Sequence, residues 1–390
     1  MKKRFSVIFV LLTFMLTISF LSGYSNSKVY ADNLIDINSK SAYLMEANTN
    51  TVIYANNETE RLPIASMCKV MTLLLCFDAL QDGRITIDEE ITISDNSAGM
   101  GGSQVFLESG GKYIVGDLIK SIVVASANDA CVAMAERLYG SEDAFVEKMN
   151  EKASELKMEN TLFNNCTGLP KPSQYSSAKD VATMFSALIK HEEYFRFSKI
   201  WTDVIKHPND RVTEISNTNK LIRFYNGCDS GKTGYTSDAG HCLVASAMRN
   251  GMRLISVVIK AQDSKTRFKE VSQMFNYGFA NFANKMVVDN SKPLNIDVDV
   301  IGGKKDKLEV VAEKPLYVLM NKGDKRSFEI DFMPFESVKA PVHKGDKVGV
   351  LSVYENNEVI SKVDVVSNEN VYEKTYFDVI MDIGKNWALI

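Results

Sequence analysis

Three short motifs hold the residues of this chain that could do covalent chemistry: Ser66-Met67-Cys68-Lys69, Ser126-Ala127-Asn128 and Lys232-Thr233-Gly234. A serine with a lysine three places on pairs a nucleophile with a base, because positions i and i+3 of a helix share a face. The partner is needed, since a free serine hydroxyl is a poor nucleophile. Lysine serves as base only if its pKa falls from about 10.4 toward 7, on the order of 4 kcal/mol of environmental bias. Burial beside a second cation supplies such a bias, and Lys232 is the candidate.

Each motif alone is weak. S-x-x-K begins at Ser25, Ser66, Ser109, Ser154 and Ser176, and S-x-N at Ser94 and Ser126, whereas K-T-G occurs only at Lys232. Context selects among the copies. The apolar run Val70-Met71-Thr72-Leu73-Leu74-Leu75 follows Ser66, and Pro63 precedes it, which predicts a buried helix with the serine in its first turn. The positive field of that N-terminus favours a developing alkoxide. Ser25 lies in a targeting region, Ser109-Gly110-Gly111-Lys112 reads as a turn, Ser154 as the solvent side of a charged helix, and Ser176 as a helix N-cap. Ser126 sits on a break between two apolar helical runs, where side chains can project into a cleft; Ser94 reads as a strand end or turn.

The third motif needs a strand. His241–Met248 and Leu254–Ile259 are two apolar runs joined through Arg249-Asn250-Gly251, and Asn-Gly is a strong hairpin signal. K-T-G then lies on a neighbouring strand, where Gly234 lets a peptide lie along the edge. The alternative reading of Gly231-Lys232-Thr233 as the end of a phosphate-binding loop fails, because that loop requires glycine where Asn226 stands.

The chain has 390 residues, 45% hydrophobic and 24% charged, enough for two domains and a large core. Its net charge of −4 argues against a nucleic-acid partner. Lys2, Lys3 and Arg4 precede an apolar run to Leu21, and Val29-Tyr30-Ala31 offers a cleavage site. Residues 1–31 thus read as a secretory signal peptide, with an uncleaved anchor as the alternative; either puts the folded part outside the cytoplasm. The cysteines Cys68, Cys76, Cys131, Cys166, Cys228 and Cys242 show no C-x-x-C pair, which disfavours zinc; an exported protein could pair them, but most sit in apolar runs, which favours free thiols. The four histidines are scattered and read as structural.

From Asn33 to about Asn284 the chain resembles the catalytic domain of low-molecular-mass penicillin-binding proteins of the serine-type D-alanyl-D-alanine carboxypeptidase family. The resemblance rests on the three motifs and on Gly101-Gly102-Ser103, Asn165-Cys166-Thr167-Gly168-Leu169-Pro170, Tyr175–Asp180, Gly251–Ile255 and Tyr277-Gly278-Phe279. It implies an α+β fold, an antiparallel sheet flanked by helices with the serine at a helix start between them. It implies that Ser66 attacks the carbonyl between two terminal D-alanines of a peptidoglycan stem peptide, that Lys69 takes its proton and that Ser126 relays a proton to the leaving D-alanine. Asn128 then holds the substrate amide, and Lys232, Thr233 and Arg267 read the terminal carboxylate, with Gly234 leaving room for the peptide. The backbone N–H groups of Ser66 and Tyr235 form the oxyanion hole, each donor worth about 3 kcal/mol. β-Lactams acylate Ser66 and leave slowly. No metal or organic cofactor is implied.

Two rival readings stand beside this one. A secreted serine β-lactamase shares the motifs, but its deacylating E-x-x-L-N pattern fails here, where Glu159-Asn160-Thr161-Leu162 runs into Phe163. A non-catalytic binder of cell-wall peptide has no need of Ser66 and Lys69 together.

The rest divides in two. Residues 285–373 show short alternating runs such as Asn295–Val300 and read as a small β-rich domain without chemistry of its own, a spacer or partner platform. In 374–390, Tyr376, Ile380, Ile383, Trp387 and Ile390 recur at three- and four-residue steps while Lys374, Asp378, Asp382 and Lys385 lie off the stripe. That is an amphipathic helix, lying either on a membrane surface or on the second domain.

Overall fold

The computed structural model describes residues 35–335 and 338–387. The expected signal segment 1–31 and the last stripe residue, Ile390, lie outside the described residues.

Five antiparallel strands make the principal sheet: β1 (Ser41–Glu46), β2 (Val52–Asn56), β3 (Cys228–Thr236), β4 (Gly240–Arg249) and β5 (Met252–Ala261). Their order across the sheet is β2-β1-β5-β4-β3, so β3 is an edge strand. The expected hairpin is present as β4–β5, and its turn puts Asn250 and Gly251 at φ +50° and +76°, the left-handed geometry that suits Asn-Gly.

Both faces of the sheet are covered, which explains why β4 and β5 are apolar almost without interruption. Leu254 and Val258 of β5 point to one face, with Leu44 of β1, and pack under helix α5 (Ser264–Asn281) through Val271, Met274 and Phe275. The alternate residues Ile255, Val257 and Ile259 point to the other face and join the main helical core. At the centre of that core is α1 (Lys69–Gln81), apolar on every side and accordingly buried nearly all round. Around it lie α2 (Asn128–Tyr139), α3 (Glu142–Glu155) and α4 (Ala178–Leu188).

Two local expectations shift. The N-cap of α4 is Ser177, whose side chain accepts from Asp180 N; Ser176 instead pairs its hydroxyl with Thr161 Oγ1 at 2.8 Å. Ser94, expected at a strand end or turn, caps the short helix Asp95–Ala98 and donates to Glu136.

The second domain follows α5 directly. The strand Phe282–Val288 runs across the expected division after 284, because it pairs with Leu316–Asn321. The strands Lys347–Glu355 and Glu358–Ser367 form the largest hairpin there, over a valine-rich core containing Val310, Val353 and Val365. The chain's last described helix is α6 (Tyr376–Trp387).

Candidate active site

Ser66 lies not in the first turn of α1 but in a 3-10 turn, Ala65–Cys68, that runs into it. The cause is visible next door. Gly168 sits at φ +80° so close to this turn that a Cβ on it would come within 2.0 Å of the Ala65 carbonyl oxygen. Ala65 itself adopts φ +47°, so the chain turns sharply just before the nucleophile. Lys69, the first residue of α1, is completely buried. Its Nζ lies 3.0 Å from Ser66 Oγ and donates to the Thr167 carbonyl at 2.5 Å.

The expected break at Ser126 is real. A π-helical turn, Ser121–Ala125, ends with Ser126 at φ +63°, and α2 begins at Asn128. This projects the Ser126 hydroxyl toward β3, where Lys232 Nζ donates to its Oγ at 2.8 Å. Asn128 Nδ2 donates to Gly101 O at 2.7 Å, while its Oδ1 is buried with no partner among the described residues. Gly102 is required beside it, since a Cβ there would stand 2.8 Å from Asn128 Nδ2.

Lys232, Thr233 and Gly234 lie within edge strand β3, opposite Val244, Leu243 and Cys242 of β4. A strand in place of a loop leading into a helix removes the phosphate-loop reading. Lys232 is almost wholly buried, as is Thr233. Gly234 packs against the serine turn. Arg267 of α5 donates to the Gly234 carbonyl at 3.0 Å and to the Cys242 carbonyl at 3.3 Å, so it braces the strand from behind. Tyr235 is exposed and stacks on His241, ring centroids 4.4 Å apart.

Two lysines share this buried space. Burial pulls the Lys69 pKa below the usual lysine range. Lys232 falls well below it, by burial first and then by the charges of Lys69 and Arg267. The expected bias on a lysine is therefore present, but burial is its main source at Lys69, and the effect of the neighbouring cation is felt at Lys232.

A family model described as D-alanyl-D-alanine carboxypeptidase matches residues 26–263, and one described as the C-terminal domain of penicillin-binding protein 5 matches residues 282–373. The D-alanyl-D-alanine carboxypeptidase DacF of Bacillus subtilis is 38% identical over 350 residues, 90% of each chain. The chain belongs to the D-alanyl-D-alanine carboxypeptidase family of penicillin-binding proteins. Among solved structures, penicillin-binding protein 5 of Haemophilus influenzae superposes with a TM-score of 0.71 at 30% identity, covering 87% of this chain and 98% of that one. PBP3 of Streptococcus pneumoniae gives 0.72 at 26% identity, covering 86% and 100%.

In this carboxypeptidase the structure gives positioning roles to residues for which the sequence reading named none. Asn165 Oδ1 accepts from Gly168 N at 2.7 Å and Thr167 N at 3.2 Å, which shapes the loop that meets Lys69. Asp129, fully buried, accepts from Val105 N and Leu107 N at 3.1 Å and so ties down the segment that follows Gly101 and Gly102. Asp229 pairs both oxygens with Arg253 at 2.8 Å, locking the start of β3 to the central strand β5 across β4. Glu159, the weak β-lactamase candidate, is an exposed residue whose carbonyl accepts from Arg61. All six cysteines are buried and unpaired.

Proposed function

We propose that Ser66 is the nucleophile of this carboxypeptidase and Lys69 its base. Ser66 Oγ attacks the carbonyl between the two terminal D-alanines of a peptidoglycan stem peptide and gives its proton to Lys69. Ser126, in contact with Lys232, passes a proton to the leaving nitrogen, so D-alanine departs with a neutral amine and an ester remains on Ser66. Water hydrolyses that ester. Thr233 and Lys232 read the terminal carboxylate, with Arg267 contributing through its hold on the strand. Asn128 takes the substrate amide, its unpaired Oδ1 being the free acceptor. The N–H groups of Ser66 and Tyr235 receive the oxyanion. The observation that carries this reading is the pair of side-chain contacts, Lys69–Ser66 at 3.0 Å and Lys232–Ser126 at 2.8 Å, in one buried cluster.

The test is D-alanine release from diacetyl-Lys-D-Ala-D-Ala, with acylation by a fluorescent β-lactam followed in parallel. Wild type should release D-alanine, and Ser66→Ala should lose both reactions. Rapid turnover of the β-lactam without D-alanine release would transfer the assignment to a β-lactamase, and inactivity in both to a binding role.

The same reading puts the enzyme at the outer face of the cytoplasmic membrane. It is supported by the basic and apolar N-terminal segment and by α6. Asp378 and Lys374 of the α6 region pair with Lys304 and Asp306 of the β-rich domain, at 3.3 and 3.2 Å, while Tyr376, Phe377, Ile380 and Met381 are exposed. A polar face held to the protein and an apolar face turned outward suit an interfacial helix. No helix among the described residues is long and apolar enough to cross a membrane. Sedimentation with anionic vesicles should pull down the chain and lose it when residues 374–390 are removed. We assign the chain through α5 to catalysis and 282–373, which includes the strand that crosses the expected division, to a spacer that lifts the site from the surface.

A further inference from the structure

The hairpin formed by Thr202–Lys206 and Val212–Ser216 stands apart from the principal sheet as a pair of antiparallel strands. A hairpin alone is marginal in water, so this arm keeps its place only where something holds it. It is held at its base, along its length and at its tip, and each hold reaches a segment that borders the S-x-N motif. At the base, Thr218 N donates to Val124 O at 3.2 Å, just before Ser126. Along its length, Asp203 pairs with Lys120 at 3.2 Å, on the helix Val115–Lys120 that leads into the π-helical turn. At the tip, His207 to Arg211 close on residues 106–113.

The tip makes specific contacts. Arg211 spreads its guanidinium between two acceptors: Nη2 donates to the Phe106 carbonyl at 2.5 Å, and Nε to Glu108 Oε1 at 3.0 Å. His207 Nδ1 lies 2.7 Å from the Tyr113 hydroxyl, and its Nε2 lies 2.8 Å from Thr213 Oγ1 on the hairpin itself. Gly111 sits under Pro208, whose Cγ would stand 3.2 Å from a Cβ built there.

Phe106 is the strained point of the bound segment. It adopts φ +64°, which is unfavourable for a bulky side chain and persists only where the surroundings impose it. They impose it from two sides. From within, the buried Asp129 carboxylate accepts from the N–H groups of Val105 and Leu107, the residues flanking Phe106. From without, Arg211 takes the carbonyl between them. The same stretch of chain runs back to Gly101 and Ser103. Their carbonyls accept from Asn128 Nδ2 and Asn128 N, each at 2.7 Å. The wall that carries Asn128 is thus set by a run of polar contacts that ends at an exposed arginine.

We propose that Arg211 is a positioning residue for the reaction: by fixing the Phe106 carbonyl it holds the 101–107 segment against Asn128, and so aims the Asn128 side chain at the substrate. The inference rests on the reading above in which Asn128 takes the substrate amide.

The effect belongs to substrates that offer such an amide. The test therefore compares second-order acylation rates for benzylpenicillin, which carries a side-chain amide, and penicillanic acid, which carries none. Asn128→Ala should lower the ratio of the two rates. Arg211→Ala should lower it about tenfold, short of the roughly 10²-fold cost of a group misplaced by about 1 Å. Arg211→Lys keeps a charge opposite Glu108 but replaces the fork by a single ammonium, so it should recover part of the ratio. In the double variant the losses should not add, because both remove one function, and the ratio should equal that of Asn128→Ala alone. An unchanged ratio in Arg211→Ala, whatever its thermal midpoint, overturns the proposal, as does a double variant whose loss is the product of the single losses. If Asn128→Ala itself keeps the wild-type ratio, the Asn128 reading fails and this inference with it. If Asn128→Ala lowers the ratio and Arg211→Ala does not, this inference alone falls.

Discussion

A Cβ built on Gly234 would stand 3.1 Å from the backbone nitrogen of Ser66 and 2.6 Å from the Ile64 carbonyl oxygen. The edge strand and the nucleophile's turn therefore touch backbone to backbone, and the missing side chain of Gly234 leaves the space beside Ser66 N open.

Gly234→Ala should push strand and turn apart at that point. Loss of one oxyanion donor costs about 10²–10³ in rate. We expect β-lactam acylation to slow by about that factor and the thermal midpoint to fall, since the new methyl group meets backbone. Unaltered acylation would place the oxyanion elsewhere.

Gly168→Ala should do more general damage. Its left-handed φ costs an alanine roughly 1–2 kcal/mol, and the new methyl group collides with the Ala65 carbonyl. Thermal unfolding and acylation should both suffer. A folded, fully active variant would mean that the serine turn does not depend on this contact.

Ser126→Ala removes the hydroxyl that accepts from Lys232, leaving that buried amine only the Thr233 carbonyl at 3.2 Å. An abandoned buried polar partner costs about 1–3 kcal/mol. The thermal midpoint should fall, and D-alanine release and β-lactam acylation should both slow, because each breaks a C–N bond whose nitrogen must gain a proton. Unchanged rates in both would argue against a proton relay through Ser126.

The lysines make a pH prediction with a definite sign. Burial lowers the Lys69 pKa in the folded chain, whereas the unfolded chain holds that proton up to about 10.4. Between the two values the unfolded state binds more protons, so this group's contribution to stability rises with pH. The buried cysteine thiols act oppositely above about 8.5, so the comparison is wild type against Lys69→Met from pH 6 to 8. The stability difference should shift in favour of wild type as pH rises. Activity should rise over the same direction as Lys69 becomes free to accept a proton, and Lys69→Met should lose about 10²–10⁴ in acylation rate. A wild-type advantage that shrinks with rising pH would show that Lys69 is not held down by burial.

Much of the site was legible because its information is local. Ser66 and Lys69 are three residues apart, and Ser126 precedes a helix start by two. The Asn250-Gly251 turn encodes its own dihedral angles. The choice of Ser66 over four other S-x-x-K copies followed from the apolar run after it, which only a central helix explains. The near misses were also local. Ser176 and Ser177 are adjacent candidates for one cap, and only the position of Thr161 decides which hydroxyl is engaged elsewhere. The 3-10 turn at Ser66 was invisible because Gly168, which lies against it, is far away in the chain.

The sequence by itself determined which side chains could react, in what order they occur, and that helices and an antiparallel sheet carry them. These follow from spacing, periodicity and the turn chemistry of a few residues. Only the tertiary structure decided that the Thr167 carbonyl meets Lys69, that Asp229 locks to Arg253, and that Arg267 braces β3 from behind. Those contacts join segments distant in the chain. Their existence depends on how sheet and helices pack, and packing leaves no periodic trace in the residues it brings together.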